Sequence, residues 1–325
     1  MKKNTNLPFV SVCTPTFNRR PFYDMLIKCF FSQTYPIERI EWIIIDDGTD
    51  KIEDLVKDIP QVKYYKYEER LKLGKKRNIM HEKSKGDIII YMDDDDFYPP
   101  ERITLAVDTL IKNPSFLIAG SSELYIYFKH IDKLYQFGPY GKYHSTAASF
   151  AFRRELLNQT SYSNDAALAE EKHFLKNYTI PLIQLDPIKT ILVFSHIHNS
   201  FDKKELLKQP ENDFMKMSTK VINDFIKDGD IKDFFINKMD SLLENYEPGK
   251  IENKPEVLKQ IKEITENKNK MIQENIIHHI EQLNIKYKEL EKKMENKNSL
   301  IQVLMKDNIE MKKRIKVLED LTLNI

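Results

Sequence analysis

The sequence predicts an α/β fold with a mostly parallel central sheet, followed by C-terminal helices and a coiled coil. From residue 8 to about 130, short apolar runs alternate with helix-patterned segments. Strand and helix in that alternation imply parallel strands joined by right-handed crossovers. Three of the strand ends carry polar clusters, at residues 14–18, 46–47 and 93–96. In such sheets ligands bind beyond the carboxyl ends of the strands.

The elements follow in order. Phe9-Val10-Ser11-Val12-Cys13 reads as a buried strand, bounded by Thr14-Pro15-Thr16. Residues 21–33 carry helical spacing through Phe22, Met25, Leu26, Cys29 and Phe30. Glu41-Trp42-Ile43-Ile44-Ile45 is a second buried strand, ending in Asp46-Asp47-Gly48. A helix near 52–58, a strand at 62–67, a helix at 74–84 and an Ile-rich strand at 87–92 come next. Past residue 120 the pattern changes: 122–128 and 133–137 read as antiparallel strands joined by a short turn. Residues 144–152 are small and end in Phe150-Ala151-Phe152, ahead of Arg153-Arg154. A helix through 166–178 contains Glu170 and Glu171, and a strand at 190–194 leads to Ser195-His196-Ile197-His198. Residues 201–247 are charged and helical, and Pro248-Gly249 and Pro255 punctuate the chain. Three regions result: a domain at 1–200, a helical extension at 201–265 and a coiled coil at 266–325.

In the last region, Ile280 taken as a puts Tyr287, Met294, Ile301, Asn308 and Ile315 at a. Ile276, Leu283, Leu290, Leu304, Met311 and Leu318 then fall at d, with Lys297 the one fault. Ile at a with Leu at d favours a parallel two-stranded dimer, and Asn308 favours a paired register.

Composition bounds the function. A 41% hydrophobic content with 18 Phe supports a real core. The 51 basic and 50 acidic residues leave a net charge of +1, which gives no electrostatic case for nucleic acid. Two cysteines, Cys13 and Cys29, read as reduced core residues. The start has a basic flank but no apolar stretch of a signal peptide, and no run approaches the ~20 apolar residues of a membrane span. The expectation is a soluble, cytoplasmic protein. The Lys/Asn/Ile-rich composition points to a low-GC bacterium, or to a large DNA virus whose product would lie in host cytoplasm or virion.

The acidic run Met92-Asp93-Asp94-Asp95-Asp96-Phe97-Tyr98 carries the chemistry. Four carboxylates repel one another in water and resist burial as ions. A hard divalent cation removes both objections and can share its oxygens with a phosphate. On an extended backbone Asp93 and Asp95 point to one side and Asp94 to the other. Asp46 or Asp47 could accept from a base N–H or a ribose hydroxyl, Phe17 offers a face for a base, and Gly74 with Lys75, Arg77 and Asn78 offers a turn and cations to phosphate. Together they describe a nucleotide-diphosphate pocket.

VSVCTPTFNR, WIIIDDGTD, LGKKRNIMHEKSKGDIIIYMDDDDFYPPERI and SFAFRRELL, in that order over roughly residues 8–200, resemble the blocks of family 2 glycosyltransferases with their GT-A fold. The resemblance implies a nucleotide-sugar donor, usually UDP-linked, a Mn2+ or Mg2+ ion, and a glycan, protein or lipid-linked acceptor. By it, Thr14, Thr16 and Phe17 line the base, and Asp46 or Asp47 contacts uracil or ribose. Arg77 matches a basic residue near the nucleotide, Asp94 the ribose or sugar contact, and Asp95, with Asp93, the metal ligand. The family's acidic pair appears as Glu170-Glu171, putting Glu171 at the catalytic base with one methylene more than the usual Asp. His198, with His196 as second choice, matches a late residue closing over metal and diphosphate. On a helix through 166–178, Leu168, Phe174, Leu175 and Tyr178 share a face with Glu171 near its centre, while Glu170 lies ~100° away. The alternative for Glu171 is a salt bridge to Arg153 or Arg154. The implied reaction is an inverting displacement. Two other readings stand beside it: an inactive nucleotide-sugar-binding scaffold assembled by its coiled coil, and a nucleotidyltransferase, which would want a glycine-rich loop that TPTFNRR lacks.

Overall fold

The computed structural model describes residues 7–322, so the first six residues and the last three of the expected coiled coil lie outside it. The chain divides into two compact units, Met1–Ile261 and Lys262–Ile325.

In the first unit, β1 (Val10–Thr16), α1 (Tyr23–Phe31), β2 (Ile40–Asp46), α2 (Glu53–Val56), β3 (Val62–Lys66), α3 (Leu73–Lys83) and β4 (Ile88–Tyr91) alternate as the patterning predicts. α4 (Arg102–Lys112) and β5 (Ile118–Gly120) follow, neither anticipated. β6 (Leu124–Phe128), β7 (Lys133–Phe137), β8 (Ala151–Arg153), α5 (Glu171–Phe174), β9 (Leu182–Gln184), β10 (Leu192–Ser195) and β11 (Met215–Met217) continue. The short helices α6 (Ile222–Phe225), α7 (Gly229–Asp233) and α8 (Met239–Glu244) precede α9 (Pro255–Thr322).

Seven strands form one sheet in the order β3-β2-β1-β4-β8-β5-β9, parallel except for β8, which runs antiparallel to β4 and β5. A second sheet has the order β10-β6-β7-β11. In the large sheet Val10 lies opposite both Ile40 and Ile88, so β1 and β2 end level at Thr16 and Asp46. β4 stops opposite Cys13, and its continuation carries the acidic run past the end of β1. Successive side chains of β2 enter opposite cores: Trp42 and Ile44 one, Ile43 and Ile45 the other. Trp42 stacks on Phe30 of α1 at 4.4 Å, pinning that helix to the sheet. Both cysteines are buried and free.

Three expectations change. The helix through 166–178 shrinks to the single turn of α5, because Ala169, Lys176, Asn177 and Tyr178 all adopt positive φ (49–61°). Left-handed backbone at those residues cannot extend a right-handed helix, and Phe174 is buried instead by stacking on Tyr162 at 4.4 Å. Residues 93–96 are not extended: Asp94 and Asp95 sit in a turn, so the alternation that aimed Asp93 and Asp95 together does not apply. Residues 201–261 fall within the first unit rather than apart from it. β11 closes the second sheet, and Phe225, Phe234, Phe235, Met239 and Leu243 join the main core.

In the second unit, residues 262–322 are helical throughout. The apolar stripe is exposed, with Ile280 51% and Leu290 58% accessible. No helix among the described residues is long and apolar enough to cross a membrane.

Candidate active site

The end of β1 supplies the centre of the site. Thr14 is used internally: its hydroxyl donates to the Met92 carbonyl (2.7 Å) and accepts from Trp42 Nε1 (2.9 Å), tying three strands. Thr16 and Phe17 line a cavity of about 140 Å3 beyond the strand ends. Phe17 is buried, and the Arg70 guanidinium lies 3.3 Å from its ring centroid, so the face expected for a base already carries a cation. Asn18 adopts φ +52° and its Oδ1 accepts from the amides of Thr49 and Asp50, binding the end of β1 to the turn after β2.

The two aspartates after β2 have different surroundings. Asp46 accepts from the Gly48 amide (2.8 Å), the Ile52 amide (3.1 Å) and the Tyr64 hydroxyl (2.7 Å). Those three donors hold the turn and leave the carboxylate little capacity for a ligand. Asp47 is fully buried; it accepts from the Leu71 amide and pairs with Lys76. Asp47 also lines a second cavity, of about 560 Å3, which shares Phe17 and Arg70 with the first. Lys76 is buried and donates to the Thr16 carbonyl (2.9 Å).

The turn after β4 crowds carboxylates among cations. Asp93 faces Arg77 at 3.4 Å, Asp94 faces Arg19 Nε at 3.5 Å, and Asp95 lies 3.3 Å from Arg19 Nη2 and 3.2 Å from His196 Nε2. Burial pushes Asp94 up to about 7 against the pull of Arg19, and Asp94 Oδ2 is buried without a hydrogen-bond partner. Burial also raises Asp93, more than Arg77 offsets. For Asp95, burial is outweighed by Arg19 and His196, which hold it well below the usual carboxylate range. Burial and the Asp95 charge push Asp96 well up, and its Oδ1 accepts from the Phe194 amide (3.3 Å).

Arg77 links this turn to the acidic pair. Its Nε donates to Glu170 Oε1 at 2.7 Å, and its guanidinium rests 4.4 Å from the Tyr91 ring centroid. Glu170 is therefore the buried, ion-paired member. Glu171 is half-buried, makes no ion pair among the described residues, and is pushed up to about 7 by burial and then by Glu170. Neither glutamate lines the 140 Å3 cavity. The salt bridge weighed for Glu171 falls instead to its neighbour, with Arg77 rather than Arg153 or Arg154 as partner.

A stretch far along the chain closes the cavity. Lys254, 4% exposed, lines it and donates to Ser200 Oγ (3.1 Å); burial and the neighbouring Arg19 pull its pKa well down. Glu256 also lines it and receives both Nε (3.0 Å) and Nη2 (2.5 Å) of Arg70.

Residues 11–163, somewhat under half of the chain, match the family profile described as glycosyl transferase family 2. This segment is similar to that family. An uncharacterized glycosyltransferase of Haemophilus influenzae is 29% identical over 121 residues, covering 36% of this chain and 48% of that protein. A glucosyl-dolichyl phosphate glucuronosyltransferase of Haloferax volcanii is 29% identical over 117 residues, covering 35% of this chain and 37% of its own length. The chain thus spans under half the length of these relatives. The crystal structure of S. aureus TarS aligns with a TM-score of 0.47 at 18% identity, over 57% of this chain and 60% of that one.

Within the segment that matches the family 2 profile, Thr16, Phe17, Arg77, Asp93, Asp94 and Asp95 line one cavity. Thr14 and Asp46 are turned to internal bonding, and Asp47 lies in the adjoining cavity. His196, not His198, reaches the aspartates; the ring nitrogens of His198 are buried without partners, against Gly249. Among the described residues no three His, Cys, Asp or Glu side chains converge as a metal cage. A cation bound by one or two carboxylates and a substrate phosphate needs no such cage. The under-compensated Asp93 suits a cation at this turn. Arg19, Arg70, Lys76 and Lys254 were missed by sequence reasoning. Arg19 and Lys76 lie within quoted motifs and were within reach, whereas Lys254 carries no local signal.

Proposed function

We propose that the chain is a glycosyltransferase that moves a sugar from a nucleotide-diphosphate donor, UDP-linked by preference, to an acceptor hydroxyl with inversion. The observation that supports this most is the cavity itself. Three aspartates and the cations Arg19, Lys76 and Arg77 meet at the carboxyl edge of a parallel sheet, beside Phe17 and within a family 2 segment. The glycosyltransferase names of the relatives agree with it. Arg19, Lys76 and Arg77 supply positive charge for a diphosphate, and the adjoining cavity at Asp47 suits the nucleoside. Mn2+ or Mg2+, held by Asp93 and Asp95, would neutralise charge on the leaving diphosphate. Glu171 takes the acceptor proton as the hydroxyl attacks; unlike Glu170 it is not committed to an arginine. In-line positioning of donor and acceptor provides most of the rest.

A thermal-shift screen of nucleotide sugars with Mn2+, followed by a transfer or hydrolysis assay, tests the reading. A UDP-sugar should raise the melting temperature and turn over. Calorimetry giving equal UDP affinity with and without Mn2+ would reject the metal assignment, and nucleotide binding without turnover under every acceptor tried would favour the scaffold.

Residues 266–325 are read as a parallel two-stranded coiled coil that makes the protein a homodimer. Every g residue from 272 to 314 meets a compatible e residue of the partner's following heptad in that arrangement. Lys286–Glu291, Asp307–Lys312 and Arg314–Glu319 are opposite in charge, Ile272–Ile277 and Leu300–Met305 are apolar, and His279–Asn284 and Lys293–Asn298 are polar. Light scattering should give twice the chain mass; a monomer at micromolar concentration would refute it.

A further inference from the structure

Glu256 and Gln260 stand four residues apart at the start of α9, on one face of the helix. Both lie in the first unit and beyond the family 2 segment. Through them the root of α9 holds two separate walls of the site. Glu256 grips Arg70 by two nitrogens, and the guanidinium so held covers the ring of Phe17. Gln260 Oε1 accepts from the amides of Ala167 (2.8 Å) and Leu168 (2.7 Å).

The second contact bears on Glu171 through a short chain of fixed points. The Gly74 amide at the start of α3 donates to the Ala166 carbonyl (2.9 Å). A side chain at residue 74 would collide with the Ser163 carbonyl, its Cβ only 2.0 Å away, so glycine is required for this approach. Gln260 holds the next two residues, Ala169 turns the chain at φ +52°, and Arg77 holds Glu170. Every residue from 166 to 170 is thus held or conformationally set before the chain reaches Glu171. Removing the Gln260 oxygen would leave two amides without their acceptor at the one clamp supplied from outside the family 2 segment.

We propose that Glu256 and Gln260 are positioning residues: Glu256 sets Arg70 at the nucleotide wall, and Gln260 sets the 166–170 loop that aims Glu171. This rests on the glycosyltransferase reading above. The two residues should therefore act on different constants. In the full-length dimer, Gln260→Ala should lower kcat ~10-fold or more while leaving the donor KM unchanged, since small misplacements of a reacting group are costly. Hydrogen exchange at the Ala167 and Leu168 amides should accelerate, and Gln260→Glu, which keeps an acceptor oxygen, should restore much of the rate. Glu256→Ala should raise the UDP dissociation constant ~5-fold with kcat at saturating donor unchanged. Unchanged kcat in Gln260→Ala would overturn the first half. Unchanged or tighter UDP binding in Glu256→Ala would overturn the second, tighter binding making Arg70 a plug that the nucleotide displaces. If Glu256→Ala fails to fold, Glu256→Gln gives the same reading. A wild-type protein with no transfer or hydrolysis would defeat the functional reading instead, while the exchange and UDP-binding measurements would still judge the clamps.

Discussion

The acidic pair after β2 and the acidic run after β4 sit at neighbouring strand ends, yet they are treated in opposite ways. Asp46 is saturated by two amides and a tyrosine hydroxyl, and Asp47 is paired with Lys76. After β4, four carboxylates share Arg19, Arg77 and His196; Asp94 is left with a bare oxygen and Asp93 and Asp94 are raised. The same contrast recurs one residue apart in Glu170, locked to Arg77, and Glu171, pushed up to about 7 without an ion-pair partner. Matched carboxylates hold the chain together, and the under-compensated Asp93, Asp94 and Glu171 are the ones raised by burial.

The contrast breaks most visibly in the run after β4 and at the glutamate pair. Asp95→Ala should abolish the Mn2+ dependence of UDP binding, whereas Asp94→Ala should weaken UDP binding yet keep that dependence; calorimetry with and without EDTA reads both. Glu171→Gln should lose ~100-fold or more in transfer with UDP affinity nearly unchanged and no loss of melting temperature. Glu170→Gln should instead remove one charge from the pair with buried Arg77 and cost about 1–3 kcal/mol of stability in denaturant titrations. Normal transfer by Glu171→Gln with a well-folded, inactive Glu170→Gln would move the base to Glu170.

The pH dependence sharpens the same pair. A general base works deprotonated, so with Glu171 raised from 4.5 to about 7 the rate should climb as pH rises through about 7. Glu171→Gln should flatten that limb, which separates it from the similarly raised Asp94. For stability the sign runs the other way: a carboxyl whose folded pKa is raised binds its proton more tightly in the native state. Its contribution is full below about 4.5 and is lost as pH rises to about 7, and thermal melts of Glu171→Gln should lack this loss. Among matched groups the effect should be smaller: Asp46→Asn should cost about 1–3 kcal/mol of stability with modest change in UDP affinity. Smallest of all, a chain ending at residue 261 should become monomeric with the melting temperature of the first unit essentially kept.

Much of the first half of the fold was legible because each element there is decided locally. Val10–Thr16, Ile40–Asp46 and Ile88–Tyr91 are apolar runs too short and β-branched for helices, and Phe22, Leu26, Cys29 and Phe30 repeat at helical spacing. Arg102–Lys112 was equally patterned, with Ile103, Ala106, Val107 and Leu110 buried, and was simply passed over. The helix expected at 166–178 failed for a different reason: its Phe174 is buried by Tyr162 and Phe150 from other segments, while the backbone turns left-handed at Ala169 and at 176–178.

The sequence alone determined the strand order of chemistry: which clusters lie at strand ends, that they carry aspartates, an aromatic and cations, and which family the motifs resemble. Tertiary structure alone decided which of those charges are spent on one another. Asp46 and Asp47, or Glu170 and Glu171, are near-identical neighbours in sequence; only packing brings Tyr64 to one and Lys76 to the next, or Arg77 to Glu170 and not to Glu171. It also brought Lys254, Glu256 and Gln260 to a site formed by residues almost a hundred to more than two hundred positions earlier. Charge pairing depends on distances of 3–4 Å between atoms, and no periodicity along a chain encodes contacts of that separation.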